Sequence, residues 1–270
     1  MKNRLMLALD LPDREKAEAM ASELAGDIGW FKIGLRLFVA AGPELVRSVL
    51  QTHKVFLDLK FHDIPNTVAE AVASAGALGV QMTNIHAAGG PDMMRAAADA
   101  ARSFPHMKLI AVTVLTSDPM PAVEAKIEAV RRAEMAREAG LHGVVCSVHE
   151  AAAIKRACGH DFLTVTPGIR WGGQSANDQQ RIADPAFAIA QGADYLVVGR
   201  PILQAVDPRA CLLQLLWPLA LPQPFWPGLF PVCSTACAAT PGPAPTSPCH
   251  RKYSANNCAQ HPFPHRAATG

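Results

Sequence analysis

The chain has 270 residues, half of them apolar, and carries a formal net charge of +2. A chain of this length can bury one large core, and a charge near zero without a basic stripe excludes nucleic acid and anionic membranes as expected partners. A small anionic ligand stays compatible with this composition. The first apolar run, Leu5 to Leu9, ends at Asp10 and is too short for a signal-peptide core or a membrane span, so we expect a cytoplasmic protein.

Apolar, β-rich runs alternate with helical patterns through the first 216 residues. The predicted strands are Arg4 to Leu9, Trp30 to Gly34, Lys54 to Lys60, Gln81 to His86, Lys108 to Leu115, Gly143 to Ser147, Phe162 to Thr166 and Asp194 to Gly199. The predicted helices are Asp13 to Leu24 with Asp13 as N-cap, Pro43 to Gln51, Pro65 to Leu78, Pro91 to Arg102, Val123 to Ala139, Val148 to Ala157, Pro185 to Gln191 and Pro208 to Leu216. This order favours an α/β fold, a closed TIM (β/α)8 barrel of parallel strands. A doubly wound open sheet is the alternative, but no Gly-x-Gly-x-x-Gly follows the first strand.

The composition changes at Trp217. From there to Gly270 no Asp or Glu occurs, while 11 of the 22 prolines fall in these 54 residues. Prolines at this density stop helices and strands, so we expect a catalytic barrel over 1–216 and an irregular or disordered tail over 217–270. The cysteines and histidines of the tail match no tight zinc-ligand spacing, and we expect no metal. A shifted reading frame or another non-native terminus is the alternative explanation.

Polar residues gather where each predicted strand gives way to the following loop, which is where functional groups of such barrels lie. They are Asp10, Lys32, Asp58, Lys60, His86, Thr113 to Ser117, Ser147, Pro167 to Arg170, Gly199 and Arg200. A single charge at a strand end is more often a solvated terminus, and a lone histidine is more often a packing residue. Four alternating charges at the ends of the first three strands, however, predict a functional site.

The segment "FLDLKFHDIPNT", residues 56–67, places three charges next to a buried strand. Because side chains alternate between faces, Asp58 and Lys60 point together into the barrel mouth. An ion pair that merely finishes the strand is the alternative, but moving charges into the mouth is costly before pairing offsets it. Flanking carboxylates keep a lysine protonated and position it to protonate a carbanion. Spacing alone would place Asp63 in the same site.

The loops after the seventh and eighth strands read "TPGIR", Thr166 to Arg170, and "VGRPI", Val198 to Ile202. Glycine lets backbone N–H groups approach an oxyanion, and arginine binds phosphate with two hydrogen bonds. Tight turns with solvated arginines are the alternative. We interpret the loops as a phosphomonoester site, with Gln179 on a lid that closes over the ligand. Thr116, in the loop after the fifth strand, is expected to hydrogen-bond the polar edge of a ring in the ligand.

Several stretches together resemble the orotidine 5'-phosphate decarboxylase family, over residues 4 to about 216 and in the family's order. They are "LALD", "FKIG", "FLDLKFHDIPNT", "NIHAAGG", "AVTVLTS", "GVVCSVHEA", "TPGIR", "NDQQRI" and "DYLVVGRPI". The "DLKFHDIPNT" block is highly specific, whereas "VGRPI" alone would be weak. The resemblance implies decarboxylation of orotidine 5'-monophosphate to UMP in de novo pyrimidine biosynthesis, without metal or organic cofactor.

The resemblance also assigns residue roles. It implies that Lys60 donates a proton to ring carbon 6, with Asp58 beside the departing carboxylate. It implies a homodimer in which Asp63 and Thr67 reach the partner's site, a role that spacing does not show. The other substrate contacts that it implies are Asp10 and Lys32 at the ribose, Thr116 at the base, and Arg170, Gln179, Gly199 and Arg200 at the phosphate and its lid.

The sequence departs from the family pattern at three places. The segment from Ser117 to Gly140 is several residues shorter than usual, Trp171 stands where proline usually follows "PGIR", and the tail after Leu216 has no counterpart. These departures bear on closure of the fifth loop and of the phosphate lid. Two other functions stay open: a magnesium-dependent decarboxylase or aldolase of the same barrel group acting on a sugar phosphate such as 3-keto-gulonate 6-phosphate, and a non-catalytic nucleotide-binding or scaffold barrel.

Overall fold

Eight parallel strands form a closed barrel in the computed structural model, which describes residues 2–115, 118–170 and 183–220. They are β1 (Leu5–Ala8), β2 (Trp30–Gly34), β3 (Lys54–Phe61), β4 (Met82–His86), β5 (Lys108–Val112), β6 (Gly143–Val145), β7 (Leu163–Thr166) and β8 (Tyr195–Val198). Each strand pairs with the next, and β8 pairs with β1. The predicted TIM (β/α)8 barrel is confirmed, and the open sheet is wrong.

Helices pack around the barrel. In the described residues they are α1 (Arg14–Glu23), α2 (Leu35–Leu50), α3 (Pro65–Ala77), α4 (Gly90–Ala101), α5 (Ala122–Glu138), α6 (Val148–Cys158), α7 (Pro185–Ala190), α8 (Arg200–Leu203) and α9 (Pro208–Ala220). Asp13 caps α1 as predicted, because its side chain accepts a hydrogen bond from the Lys16 N–H at 2.9 Å. No helix in these ranges is long and apolar enough to cross a membrane.

Two helices extend beyond their predicted bounds by more than one residue. α2 begins eight residues before the predicted Pro43, and Gly42, with φ 66°, divides it by a kink. Glycine adopts this left-handed conformation readily, so the chain turns and Pro43 starts a second segment. α9 continues past the predicted end at Leu216 with Pro218 in its last turn. The single turn of α8 has no counterpart among the predicted helices.

Side-chain alternation along β3 connects the barrel core to the charged strand end. Phe56 packs inside the barrel against residues such as Met82, whereas Leu57 and Leu59 face the apolar layer between strands and helices. Residues two apart on a strand share a face, so Asp58 continues the inward face of Phe56. The facing predicted from the sequence is therefore confirmed, and the buried core ends directly below the charges.

Candidate active site

A cavity of about 550 Å³ lies at the end of the barrel where the strands finish. Its wall combines charged side chains with apolar residues of β5, β6 and β8, namely Val112, Val145 and Val197. The predicted residues that border it are Asp10, Lys32, Asp58, Lys60, Arg170, Gly199 and Arg200. Residues distant in the chain meet here because the carboxyl ends of parallel strands share one face of the barrel.

Four of these side chains alternate in charge across the ends of β1, β2 and β3. Nζ of Lys32 lies 3.4 Å from Oδ1 of Asp10 and 3.2 Å from Oδ2 of Asp58. Nζ of Lys60 lies 2.6 Å from Oδ1 of Asp58. The side chains of Lys32 and Asp58 are 11% and 10% exposed, whereas that of Lys60 is 39% exposed. Lys32 and Asp58 thus form a buried ion pair, and Asp58 also binds the more exposed Lys60 at the cavity. We call these four residues the charged array.

Burial opposes the charge of both central groups, and neighbours of opposite sign outweigh it. Burial lowers the pKa of Lys32, but the carboxylates of Asp58 and Asp10 bring it above its ordinary value. Burial raises the pKa of Asp58, but Lys32, Lys60 and a hydrogen bond from Asn84 bring it below its ordinary value. Because the folded pKa of Asp58 is depressed, its contribution to stability is present above the unfolded pKa. That contribution is lost as the pH falls through the folded value.

A β-bulge interrupts β3 at the charged residues. The flanking pairs with β4 are Leu57 with Thr83 and Phe61 with Ile85. Three residues of β3 therefore face a single residue of β4, Asn84. Lys60, inside the bulge, has φ 53° and is the one non-glycine residue with positive φ in the described part of the chain. Such bulges often redirect a side chain beside an active site.

Asn84 is a site residue that the sequence reasoning missed. Its side chain is fully buried, and its Nδ2 donates a hydrogen bond to Oδ1 of Asp58 at 2.7 Å. Its Oδ1 accepts one from the Lys60 N–H at 2.8 Å. A polar side chain inside an apolar strand next to the array was the available signal, because buried amides require partners.

The loops after β7 and β8 also border the cavity. Gly168 has φ 81°, a conformation that suits glycine, and a bridge between Ile169 and Ala183 joins the two ends of the loop after β7. A side chain at Gly199 would place its Cβ 3.4 Å from that of Ala8. This is an ordinary van der Waals distance, so the space beside β1 does not by itself require glycine at this position.

Two further polar residues that were not predicted, Arg36 and Gln204, border the cavity. Arg36 lies in the first turn of α2, two residues after the end of β2, and Gln204 follows α8 directly. Neither position was predicted, because both lie beyond the strand ends at which functional residues were expected. Their guanidinium and amide groups add hydrogen-bond donors to the wall of the cavity.

Among the described residues, two of the predicted catalytic and substrate-binding residues, Asp63 and Thr67, do not line the cavity. Asp63 and Thr67 are exposed around the start of α3, and Oδ1 of Asp63 accepts a hydrogen bond from the Ile64 N–H at 2.7 Å. Thr116 and Gln179 lie outside the described residues, as does Trp171. His86 does not border the cavity and stacks on His62, with ring centroids 5.4 Å apart.

Comparison with known proteins adds a second line of evidence to this geometry. The model of the "Orotidine 5'-phosphate decarboxylase / HUMPS family" matches residues 3–215. The chain belongs to this family. The match ends close to Leu216, where the composition of the chain changes. Membership makes the chain an enzyme of the carboxy-lyase class and supports decarboxylation in pyrimidine biosynthesis.

Individual family members are similar over most of their length. An orotidine 5'-phosphate decarboxylase of Trichlorobacter lovleyi is 48% identical over 219 residues, which are 77% of this chain and 91% of the relative. One of Moorella thermoacetica is 47% identical over 224 residues, 77% of this chain and 89% of the relative. The crystal structure of orotidine 5'-phosphate decarboxylase from Lactobacillus acidophilus superposes with a TM-score of 0.70 at 34% identity, covering 80% of this chain and 99% of that one.

Proposed function

We propose that this chain decarboxylates orotidine 5'-monophosphate to UMP without a cofactor. The observation that carries the proposal is the Lys60–Asp58 pair, 2.6 Å apart at the cavity and part of an alternating array. The name shared by the relatives at 47–48% identity supports this substrate over a sugar phosphate. The cytoplasmic location stays a prediction.

In the proposed reaction, the bond between ring carbon 6 and the carboxylate breaks and its electron pair remains on carbon 6. Carbon dioxide leaves beside Asp58, and the Lys60 ammonium donates a proton to carbon 6. The short contact with Asp58 supports these roles, because the carboxylate accepts a hydrogen bond from the lysine and fixes the direction of its side chain. Crowding of the substrate carboxylate by Asp58 would add ground-state destabilisation.

The substrate contacts that we propose follow the lining of the cavity. Asp10 and Lys32 bind ribose hydroxyls. This assignment is supported by their position in the charged array, where both border the cavity. We assign the base to Thr116 and the phosphate with its lid to Arg170, Gln179, Gly199 and Arg200. Cofactor independence is supported by the hydrogen bonds of Asp58, whose two oxygens are already engaged by Lys60, Asn84 and Lys32. Lysine ammonium groups therefore occupy the positions at which a carboxylate would bind a cation.

We further propose a homodimer in which Asp63 and Thr67 enter the site of the partner subunit. Both residues are exposed and neither lines the cavity of its own chain. Between them Ile64 is 66% exposed, an apolar side chain that a partner surface would cover. This arrangement replaces the expectation from spacing that Asp63 serves its own chain's site.

A comparison of two substrates tests the proposed reaction. Purified protein is assayed for carbon dioxide release from orotidine 5'-monophosphate and from 3-keto-gulonate 6-phosphate, the latter with added magnesium. We expect turnover of the nucleotide only. Turnover of the sugar phosphate alone would show that the protein is instead a magnesium-dependent enzyme acting on a sugar phosphate. Binding of UMP without turnover of either substrate would show a non-catalytic barrel.

The domain boundary is also a proposal, with a barrel over 1–216 and a tail over 217–270. We expect a chain that ends at Leu216 to keep its activity and its dimeric state, because Leu212 and Leu215, both buried, are retained. Steady-state kinetics and size-exclusion chromatography check this. A matched chain that ends at Asp207 loses both leucines and should unfold more readily. Loss of activity or solubility in the Leu216 truncation would contradict the boundary.

A further inference from the structure

The bulge in β3 leaves a gap that the side chain of Asn84 fills. Between the flanking pairs of β3 and β4, residues 58, 59 and 60 face only Asn84, so the regular ladder has no place for the Lys60 N–H. The amide oxygen of Asn84 accepts from that N–H at 2.8 Å. A side chain thus takes over a hydrogen bond that backbone pairing supplies elsewhere in the sheet.

The other end of the same amide reaches the charged array. Nδ2 of Asn84 donates to Oδ1 of Asp58 at 2.7 Å, and Nζ of Lys60 approaches the same oxygen at 2.6 Å. Both partners determine the orientation of the amide, since an N–H requires the oxygen and a carboxylate requires the NH₂ group. One fully buried side chain therefore connects the backbone of Lys60 to the carboxylate that holds its ammonium group.

The backbone of Lys60 needs such a connection. A φ of 53° is unfavourable for a residue with a Cβ and persists only where the surroundings hold it. The Lys60 side chain itself is 39% exposed, so packing around that side chain supplies little restraint. Hydrogen bonds at its N–H and at its Nζ are the restraints that the described structure shows.

We propose that Asn84 is a positioning residue for proton donation, which holds the Lys60 backbone in the bulge and orients Asp58 toward the Lys60 ammonium. This inference rests on the proposed function for its kinetic consequence. It extends that function to a residue on β4 that touches the array without bordering the cavity. Misplacement of a proton donor by a fraction of an ångström slows the chemical step more than it weakens binding.

Substitution of Asn84 separates positioning from simple structural support. In Asn84→Ala we expect kcat to fall by roughly 10- to 100-fold while KM changes by less than about 3-fold. Asp58 loses a donor to its charged form, so the acid limb of the pH–kcat profile moves to higher pH. The matched control is Thr83→Val on the same strand, since the Thr83 hydroxyl is equally buried and, among the described residues, donates to the Leu57 carbonyl and not to the charged array. We expect that variant to keep wild-type kcat.

Asn84→Asp provides a test by rescue. A protonated carboxyl group at this position can accept from the Lys60 N–H and donate to Asp58, whereas the ionised group repels Asp58. Activity relative to wild type should therefore rise as the pH falls, which a purely structural effect does not predict. A folded Asn84→Ala variant with kcat within about 2-fold of wild type would overturn the inference. An equal loss of kcat in Thr83→Val would overturn it as well.

A crystal structure of Asn84→Ala gives a result that does not depend on turnover. We expect the Lys60 backbone to leave positive φ and the Nζ–Asp58 separation to lengthen. An unchanged Lys60 would overturn the inference even if the wild-type protein is inactive. Absence of turnover in the wild-type protein, with the expected change in the variant structure, would refute the proposed function alone.

Discussion

Lys60→Ala is expected to lose at least about 10³-fold in kcat/KM for carbon dioxide release, because it removes both the proposed proton donor and the positive charge nearest the developing carbanion. The fold should be retained, since the Lys60 side chain is 39% exposed and Asp58 keeps its contacts with Lys32 and Asn84. Steady-state kinetics with circular dichroism of the purified variant measure both quantities.

The control for this substitution lies on the same strand. Lys54 starts β3 at the opposite end of the barrel, is exposed, and stands over the Trp30 ring at 5.5 Å. Lys54→Ala removes a lysine from β3 without touching the array, so its kcat/KM should match wild type. Wild-type activity in Lys60→Ala would remove this residue from the mechanism, and a comparable loss in Lys54→Ala would point to a general effect on β3.

Mixing two variants that each have low activity is expected to raise activity if Asp63 acts in the partner's site. Asp63→Asn alone should lose about 100-fold in kcat/KM, because in the proposed dimer it removes a charge beside Lys60 of the partner subunit. When it is dissociated and reassociated with Lys60→Ala, half of the dimers are hybrids. Each hybrid holds one site with both native residues, so roughly a quarter of all sites should be active.

A second mixture serves as the matched control for complementation. Lys60 and Asp58 lie 2.6 Å apart in one chain, so hybrids of Lys60→Ala and Asp58→Asn contain no intact site. This mixture should remain inactive, while the Asp63 mixture regains turnover. Failure of both mixtures, with hybrid dimers demonstrated by mass, would place Asp63 in its own chain's site as spacing alone suggests.

The sequence predicted the barrel and the meeting of its charged strand ends for a general reason. Parallel strands that alternate with helices present their carboxyl ends at one face, so Asp10, Lys32 and Asp58 were expected together before any distance was known. Strand alternation placed Lys60 on the same face as Asp58. These expectations need only the order of the elements and the period of a strand.

The bulge of β3 lies beyond such reasoning. A regular strand has no positive φ, and nothing in "DLKF" indicates that Lys60 adopts one. Asn84 looks like one polar residue in a buried strand until its partners on β3 are known. Arg36 was missed because α2 starts earlier than its proline suggests. Contacts of this kind depend on register between neighbouring strands, which local patterns do not contain.

The central claim is that the array alone, without a metal, removes carbon dioxide from orotidine 5'-monophosphate. The most direct measurement is carbon dioxide release by the full chain after exhaustive chelation, with metal content checked by mass spectrometry. We expect the rate to equal that of the untreated protein, and added magnesium to leave it unchanged. A rate that disappears with the metal and returns with magnesium would contradict the account.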